Sequence, residues 1–141
     1  MNSLIIKDLE PLRLPLLKKL YKSHYPSTKI KAGEKIIVAE QNSKIVGVVR
    51  YREVDKWQLL TGMLVVPEVR NQGIASQLLR FSQKDILHDQ VFCFAYEHLE
   101  ELYSAHGFTT IRVEQLPSAL ARLYLRYTQT GKPLIIMQYH S

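Results

Sequence analysis

The residues best placed to do chemistry lie in one run, Met63-Leu64-Val65-Val66-Pro67-Glu68-Val69-Arg70-Asn71-Gln72-Gly73-Ile74-Ala75-Ser76-Gln77-Leu78-Leu79. An apolar, strand-like run ends at a proline, which removes a ladder donor. A short loop carries Arg70, and Gly73 opens a stretch of helical period. The first N–H groups of a helix have no intrahelical acceptor, and the helix dipole adds partial positive charge there. Small residues at 73 and 75 permit a ligand to approach that backbone closely, and Arg70 adds a permanent charge. Such a turn binds anions, and a diphosphate fits it. The plainer reading of the same residues is a helix that starts at Gly73 beside a surface arginine. The run is not a dinucleotide fingerprint, which needs three spaced glycines. Nor is it a Walker-type loop, because no Gly-Lys-Ser/Thr follows.

Other reactive side chains say less. Tyr103 shares helical spacing with Leu99, Leu102 and His106, which fits plain packing. Cys93 sits inside the apolar run Val91–Ala95, where a thiol is normally inert. As the lone cysteine it forms no internal disulfide and builds no metal site by itself, so a reducing, cytoplasmic setting is expected. His88, His98, His106 and His140 show no two-histidine metal spacing. His98 and His106 are two helical turns apart without a third ligand, so no metal is expected. Trp57, at a strand start, reads as a packing aromatic.

The elements that must position these residues follow from period and punctuation. Ser3–Lys7 reads as a short strand. Pro15 suits the first turn of a helix with an apolar stripe of Leu16, Leu17 and Leu20, ending near Tyr25 because Pro26 follows. Ser27–Glu34 reads as a polar loop. Lys35–Glu40, Ile45–Arg52 and Trp57–Val66 are three strands joined by short polar turns, which argues antiparallel hairpins. Gly73–Leu87 is helical, with Ile74, Ala75, Leu78, Leu79 and Ile86 on one face. Val91–Ala95 is a buried strand. A helix through Leu99 and Tyr103 ends at Gly107, Phe108–Val113 is a strand, a helix runs from Pro117 to Gly131, and Leu134–Tyr139 is the last strand. The crossover from Trp57–Val66 through Gly73–Leu87 to Val91–Ala95 should be right-handed and parallel. The class is α/β with a mixed sheet. Residues 1–141 are expected to form a single domain, since no linker or repeat interrupts them.

Composition bounds the function. The 141 residues are 46% hydrophobic and 23% charged, ordinary globular values that exclude a disordered chain. A chain this long buries about two thirds of its unfolded surface. No apolar run approaches the ~20 residues that span a bilayer. The opening Met1-Asn2-Ser3-Leu4-Ile5-Ile6-Lys7 reaches charge too early for a secretory signal, so no membrane partner is expected. The net charge is +6, unevenly spread: residues 1–52 hold eleven basic groups against four acids, while the rest hold eight against nine. That excess fits either a solvated face or a surface that attracts acidic partners. No Lys/Arg run with interleaved aromatics supports nucleic-acid binding.

Arg70-Asn71-Gln72-Gly73-Ile74-Ala75 resembles the Gln/Arg-x-x-Gly-x-Gly/Ala motif of the GNAT superfamily of acyl-CoA-dependent N-acetyltransferases. The flanking Leu64-Val65-Val66-Pro67 and Ala75-Ser76-Gln77-Leu78-Leu79 are similar to the end of that family's fourth strand and the start of its third helix. Leu102-Tyr103-Ser104-Ala105-His106-Gly107-Phe108 resembles its aromatic-Tyr-x-x-x-Gly-Phe signature. The match is closest over Ile45–Phe108, and two motifs in the right order are more specific than either alone.

The resemblance implies a GNAT-like fold: antiparallel N-terminal strands, then a splayed parallel pair with a crossover helix, and helices on both faces. It implies acetyl-CoA as co-substrate, lying between Trp57–Val66 and Val91–Ala95. The backbone of Met63, Leu64 and Val65 would meet pantetheine, and Arg70, Asn71, Gln72, Gly73, Ile74, Ala75 and Ser76 would hold the pyrophosphate. Tyr103 matches the tyrosine that protonates the departing thiolate. The reaction implied is direct attack of a primary amine on the thioester. The sequence departs from the family in having no Asp or Glu in Leu59–Val66 or Val91–Ala95, and Tyr96 stands where an Asn is common. No general base is assigned; Glu53, Asp55, His24 and Glu97 are the candidates. The alternative is a non-catalytic acyl-CoA-binding or protein-interaction module. The expected acceptor is a small-molecule or peptide amine and not a polycation, because Lys18, Lys19, Lys22, Lys29 and Lys31 fall where related folds shape the acceptor side, with no acid between Glu10 and Glu34. Oligomeric state is open, a homodimer included.

Overall fold

The computed structural model of the chain describes residues 3–26 and 28–140. Met1, Asn2 and Ser27, which entered the expectations for the chain start and the 27–34 loop, lie outside the described residues, as does Ser141.

Seven strands form one mixed sheet. Leu4–Asp8 (β1) is followed by a helix over Leu14–His24 (α1). Lys35–Gln41 (β2), Lys44–Val54 (β3) and Trp57–Val65 (β4) come next, then a helix over Ile74–Asp85 (α2). Val91–Tyr96 (β5), a short helix at Glu100–Ser104 (α3), Phe108–Thr110 (β6), a helix over Ser118–Thr128 (α4) and Leu134–Tyr139 (β7) complete the order. The sheet runs β1-β2-β3-β4-β5-β7-β6. Every neighbouring pair is antiparallel except β4 and β5, which are parallel across the α2 crossover. The mixed α/β class and the parallel pair expected from the sequence are both present.

Alternation along the strands assigns the two faces. Val49, Tyr51, Leu60, Cys93 and Met137 point to one side, where Ile74, Leu78 and Leu79 of α2 and Tyr103 of α3 cover them. Val38, Val48 and Leu64 point to the other, under Leu17 and Tyr21 of α1. Leu59, Phe92 and Ile136 share that side with Leu120 and Leu123 of α4. Leu78, Leu79 and Leu120 have no exposed surface, and each such burial contributes about 1.5–3 kcal/mol. The helices that carry the Gly73 turn and Tyr103 are thus fixed from one side, and α1 and α4 from the other.

Most boundaries shift slightly from expectation, and two elements are cut clearly short. Phe108–Val113 is a strand only over Phe108–Thr110. The Ile111 N–H still donates to Ile136 O at 2.9 Å, but the Arg112 N–H then donates to Gln115 Oε1 at 2.9 Å and the chain turns into a 3-10 helix at Val113–Gln115. The helix through Tyr103 is also shorter, because Glu97–Leu99 forms a 3-10 turn ahead of α3.

Candidate active site

The site exists because two strands part. β4 and β5 pair only at Gln58↔Val91, Leu59↔Phe92 and Leu60↔Cys93. Beyond Leu60, β4 stays with β3, while β5 stays with β7 as far as Tyr96↔Leu134. The local cause is a bulge. Val48 faces Leu64 and Arg50 faces Thr61, so β4 has one residue more than β3 between those pairs. Gly62 lies there with φ +66°, in the left-handed region that favours glycine. A bulge bends its strand and increases its twist. A cleft of about 700 Å³ opens at the parting. Its walls include Leu60, Met63, Cys93 and Tyr103 from one face and Arg50, Arg52, Leu59 and Tyr127 from the other. The cleft therefore passes through the sheet.

The turn after β4 has the strand–turn–helix order expected from the sequence. β4 is followed by a 3-10 turn at Pro67–Val69, and Gly73 caps α2 with φ +78° and no side-chain hydrogen bond. The first bond of the helix runs from the Gln77 N–H to Gly73 O at 3.1 Å. The N–H groups of Ile74, Ala75 and Ser76 precede it and have no carbonyl inside the helix. A Cβ built on Gly73 would meet nothing within 4 Å, so the space in front of this backbone is open. Arg70 is exposed, and its Nε donates to Val65 O at 3.0 Å. That bond ties one guanidinium nitrogen to the strand end and keeps the charge beside the turn. Leu64 and Ile74 are 2% exposed and pack into the core, so they have only backbone to offer a ligand. Met63 lines the cleft itself.

Tyr103 also lines the cleft and is buried, with its ring edge-on to Phe108 at 5.5 Å. That contact gives the Gly107-Phe108 end of the second motif a packing role. The Tyr103 hydroxyl lies beside the Cys93 thiol, close enough for each to shift the other's pKa. Burial holds the Tyr103 phenol well above its ordinary pKa, and the neighbouring Cys93 reinforces the shift. Burial pushes the Cys93 thiol up to about 12. Both groups are therefore neutral at physiological pH, and Cys93 is a poor nucleophile.

The sequence reading missed a buried polar cluster on the opposite wall. Arg50 Nη1 donates to Glu34 Oε1 at 2.6 Å, and their side chains are 3% and 1% exposed. Arg50 Nε donates to the Tyr21 hydroxyl at 3.2 Å, and the Tyr21 hydroxyl donates to Gly62 O. The second Glu34 oxygen accepts the Lys31 N–H at 2.7 Å. The cluster ties α1, the loop before β2 and the β4 bulge together. A signal was available: an arginine within the apolar run Ile45–Arg52 needs a buried partner. Its partner's identity depends on long-range packing. Removing one member leaves the other charge uncompensated, which costs about 3–5 kcal/mol. Arg50→Met is accordingly expected to lower Tm by on the order of 10 °C. Adding Glu34→Gln should recover part of that loss in a calorimetric melt; melts that simply add would show that the pair is not coupled.

The base candidates fare poorly. Glu53, Asp55, His24 and Glu97 do not line the cleft; Glu53, Asp55 and Glu97 are exposed elsewhere. The one carboxylate in the lining, Glu34, has both oxygens engaged. Most of the lysines expected on the acceptor side point elsewhere. Lys18, Lys19 and Lys22 lie on the exposed side of α1, because Leu17 and Tyr21 take its buried side; only Lys29 and Lys31 of that set reach the cleft. Among the described residues no group of three His, Cys, Asp or Glu could hold a metal, and no helix is long and apolar enough to cross a membrane.

Solved structures share this architecture. The N-acetylglutamate synthase of Neisseria gonorrhoeae, complexed with coenzyme A and N-acetyl-glutamate, superposes with TM-score 0.73 at 14% identity over 99% of this chain. The chain spans only 36% of that enzyme's length. A GNAT-family acetyltransferase of Staphylococcus aureus Mu50 gives TM-score 0.69 at 17% identity over 99% of this chain and 100% of its own. The PaiA N-acetyltransferase of Thermoplasma acidophilum, complexed with coenzyme A, gives 0.62 at 14% identity, covering 99% of both chains. At such identities the likeness is one of fold. No match was found among curated proteins. The family profile for the acetyltransferase (GNAT) domain matches residues 32–110, a stretch that holds β2 to β6 and with them the splay, the Gly73 turn and Tyr103. By that match over more than half of its length, the chain belongs to the GNAT acetyltransferase family.

Proposed function

We propose that the protein transfers an acetyl group from acetyl-CoA to a primary amine by direct attack on the thioester, without an acyl-enzyme. The observation that carries this reading is the cleft through the sheet, with an unsatisfied helix N-terminus beyond one of its diverging strands. Two of the similar structures contain coenzyme A, which supports the same co-substrate here. Asn71, Gln72, Gly73, Ile74, Ala75 and Ser76 would receive the pyrophosphate through backbone N–H groups, with the Arg70 charge beside them. Backbone groups of Met63, Leu64 and Val65 on the edge that β5 leaves would bond the pantetheine amides, the Val65 carbonyl while also accepting from Arg70 Nε.

The amine nitrogen attacks the carbonyl carbon, the C–S bond breaks, and sulfur leaves with the bonding electrons. Tyr103 supplies the hydrogen bond and then the proton to that sulfur. A phenol well above its ordinary pKa is a weak acid, but the same burial lifts Cys93 to about 12. A CoA thiolate delivered to this surrounding is raised in the same way, which preserves the driving force for transfer. The amine's own proton goes to water, and the Tyr103 phenolate takes a proton back from water before the next turnover. We assign no general base, since Glu34 is engaged at both oxygens.

The absence of a free carboxylate from the cleft lining also suits a second reading, an acyl-CoA-binding module without turnover. One pair of measurements separates them. Acetyl-CoA at about 100 times its Kd should add about 2.7 kcal/mol of stability, roughly 5–10 °C in Tm. An amine panel followed by free CoA release should then show turnover. A Tm unmoved by millimolar acetyl-CoA in folded protein overturns both readings. A shift without CoA release from any amine selects the second.

A further inference from the structure

Resting on the acetyltransferase reading above, we infer that the acceptor is a small amine bearing a carboxylate or phosphate, and that Arg52 and Lys132 hold that anionic group.

The cleft lining keeps most of its cations unpaired. The cleft lining holds five cations, Lys29, Lys31, Arg50, Arg52 and Lys132, against one carboxylate, Glu34. Arg50 is spent: its guanidinium is bonded to Glu34, Tyr21 and Lys29 O. Glu34 is spent as well, on Arg50 and the Lys31 N–H. Four positive charges are left with no negative one to meet them. Among the described residues Arg52 and Lys132 have no carboxylate within 4 Å, although ion pairs form elsewhere at Lys7, Arg13 and Lys35.

Arg52 is the best formed of the four. It stands two residues along β3 from Arg50, on the same face, and is half-buried. Its Nη1 donates to the Tyr127 hydroxyl at 3.3 Å. The Tyr127 ring is in turn held edge-on by Phe94 at 6.1 Å. A guanidinium anchored by one nitrogen still presents a fork to a carboxylate or phosphate. Lys132 reaches the same cleft from the loop between α4 and β7 and adds a second cation.

Size and sign limit the acceptor. The whole cleft, about 700 Å³, is that of a small-ligand pocket and must also admit the thioester end of the co-substrate. Four unneutralised cations repel a polyamine and attract an anion.

The test pairs amines that differ in the anionic group alone: L-alanine with ethylamine, L-phenylalanine with phenethylamine, and O-phosphoethanolamine with ethanolamine, plus spermidine. CoA release is followed at saturating acetyl-CoA and two salt concentrations, with the acetyl-CoA melting shift measured on every protein. At least one anionic member should exceed its partner by more than tenfold in kcat/KM at low salt, and the gap should narrow with salt. Arg52→Gln should shrink that gap by about 10- to 100-fold, mainly through KM. Arg52→Lys should recover part of it, and Lys84→Gln, on the exposed side of α2, should leave it intact. Lys132→Gln reads the same gap should Arg52→Gln melt abnormally. The carboxylate and phosphate arms separate the two anion types. Preference for spermidine or for the uncharged partners overturns the inference, as does a gap indifferent to Arg52→Gln. So does a panel with no anionic substrate in a protein that acetyl-CoA stabilises, and this leaves co-substrate binding standing. Loss of the melting shift itself overturns the parent reading.

Discussion

Gly73→Val is expected to remove most acetyl-CoA affinity, by about 10²- to 10³-fold. Two effects act at this position and they are separable. The first concerns the ligand. A Cβ at 73 meets no protein atom within 4 Å, so a branched side chain occupies open space at the start of α2. There it keeps a diphosphate from the N–H groups of Ile74, Ala75 and Ser76. Losing one or two charge-assisted hydrogen bonds, each worth about 1.5–3 kcal/mol, gives the stated range. The second concerns the backbone. Gly73 has φ +78°, and an L side chain there costs about 1–2 kcal/mol. The variant should thus melt several degrees lower and still fold. Titration calorimetry with acetyl-CoA below the variant's melting range reads the first effect, and a thermal melt reads the second. Gly73→Ala should show nearly the same melting penalty with a smaller loss of affinity. Should Gly73→Val bind acetyl-CoA as well as the wild type does, the pyrophosphate does not sit at this turn.

Tyr103→Phe is expected to lower kcat by about 10²- to 10⁴-fold, the usual contribution of a general acid, with KM for acetyl-CoA nearly unchanged. The ring is retained, and with it the edge-on contact to Phe108 at 5.5 Å. Only the hydroxyl is lost. The pH profile discriminates further. Burial raises the Tyr103 pKa well above the ordinary phenol value of about 10. The raised pKa keeps the donor protonated up to and beyond that value, so it contributes no alkaline fall in rate below about pH 10. The rate should instead rise with pH as the acceptor amine loses its proton, since no cleft carboxylate is free to take it. Turnover that survives the substitution makes Tyr103 a packing residue. An alkaline limb near pH 10 in the wild type, absent from Tyr103→Phe, would mean that the phenol is far less desolvated than its 2% exposure implies.

Some of this protein is written in short stretches of sequence. The strand–proline–loop–Gly73–helix order fixes the turn at Gly73 because each step is a local rule: a proline stops a ladder, a glycine accepts a left-handed backbone, and an apolar period of 3.6 makes α2. The hairpins of β2, β3 and β4 and the parallel crossover to β5 follow from turn length and chain handedness in the same way. With its strand–turn–helix setting, the Arg70–Ala75 run was enough to point to the family whose profile matches residues 32–110. Other features were decided only when distant segments met. Arg50 became a structural ion because folding brought Glu34 and Tyr21 to it across 16 and 29 residues of chain. Lys18, Lys19 and Lys22 looked like part of an acceptor surface until Leu17 and Tyr21 took the buried side of α1. Arg52 and Lys132, eighty residues apart, line one cleft only because β5 carries β7 alongside it. Local geometry depends on a few neighbouring residues and can be read along the chain. The sign and the vacancy of a charge in a cleft depend on which remote partners arrive, and only the tertiary structure sets them.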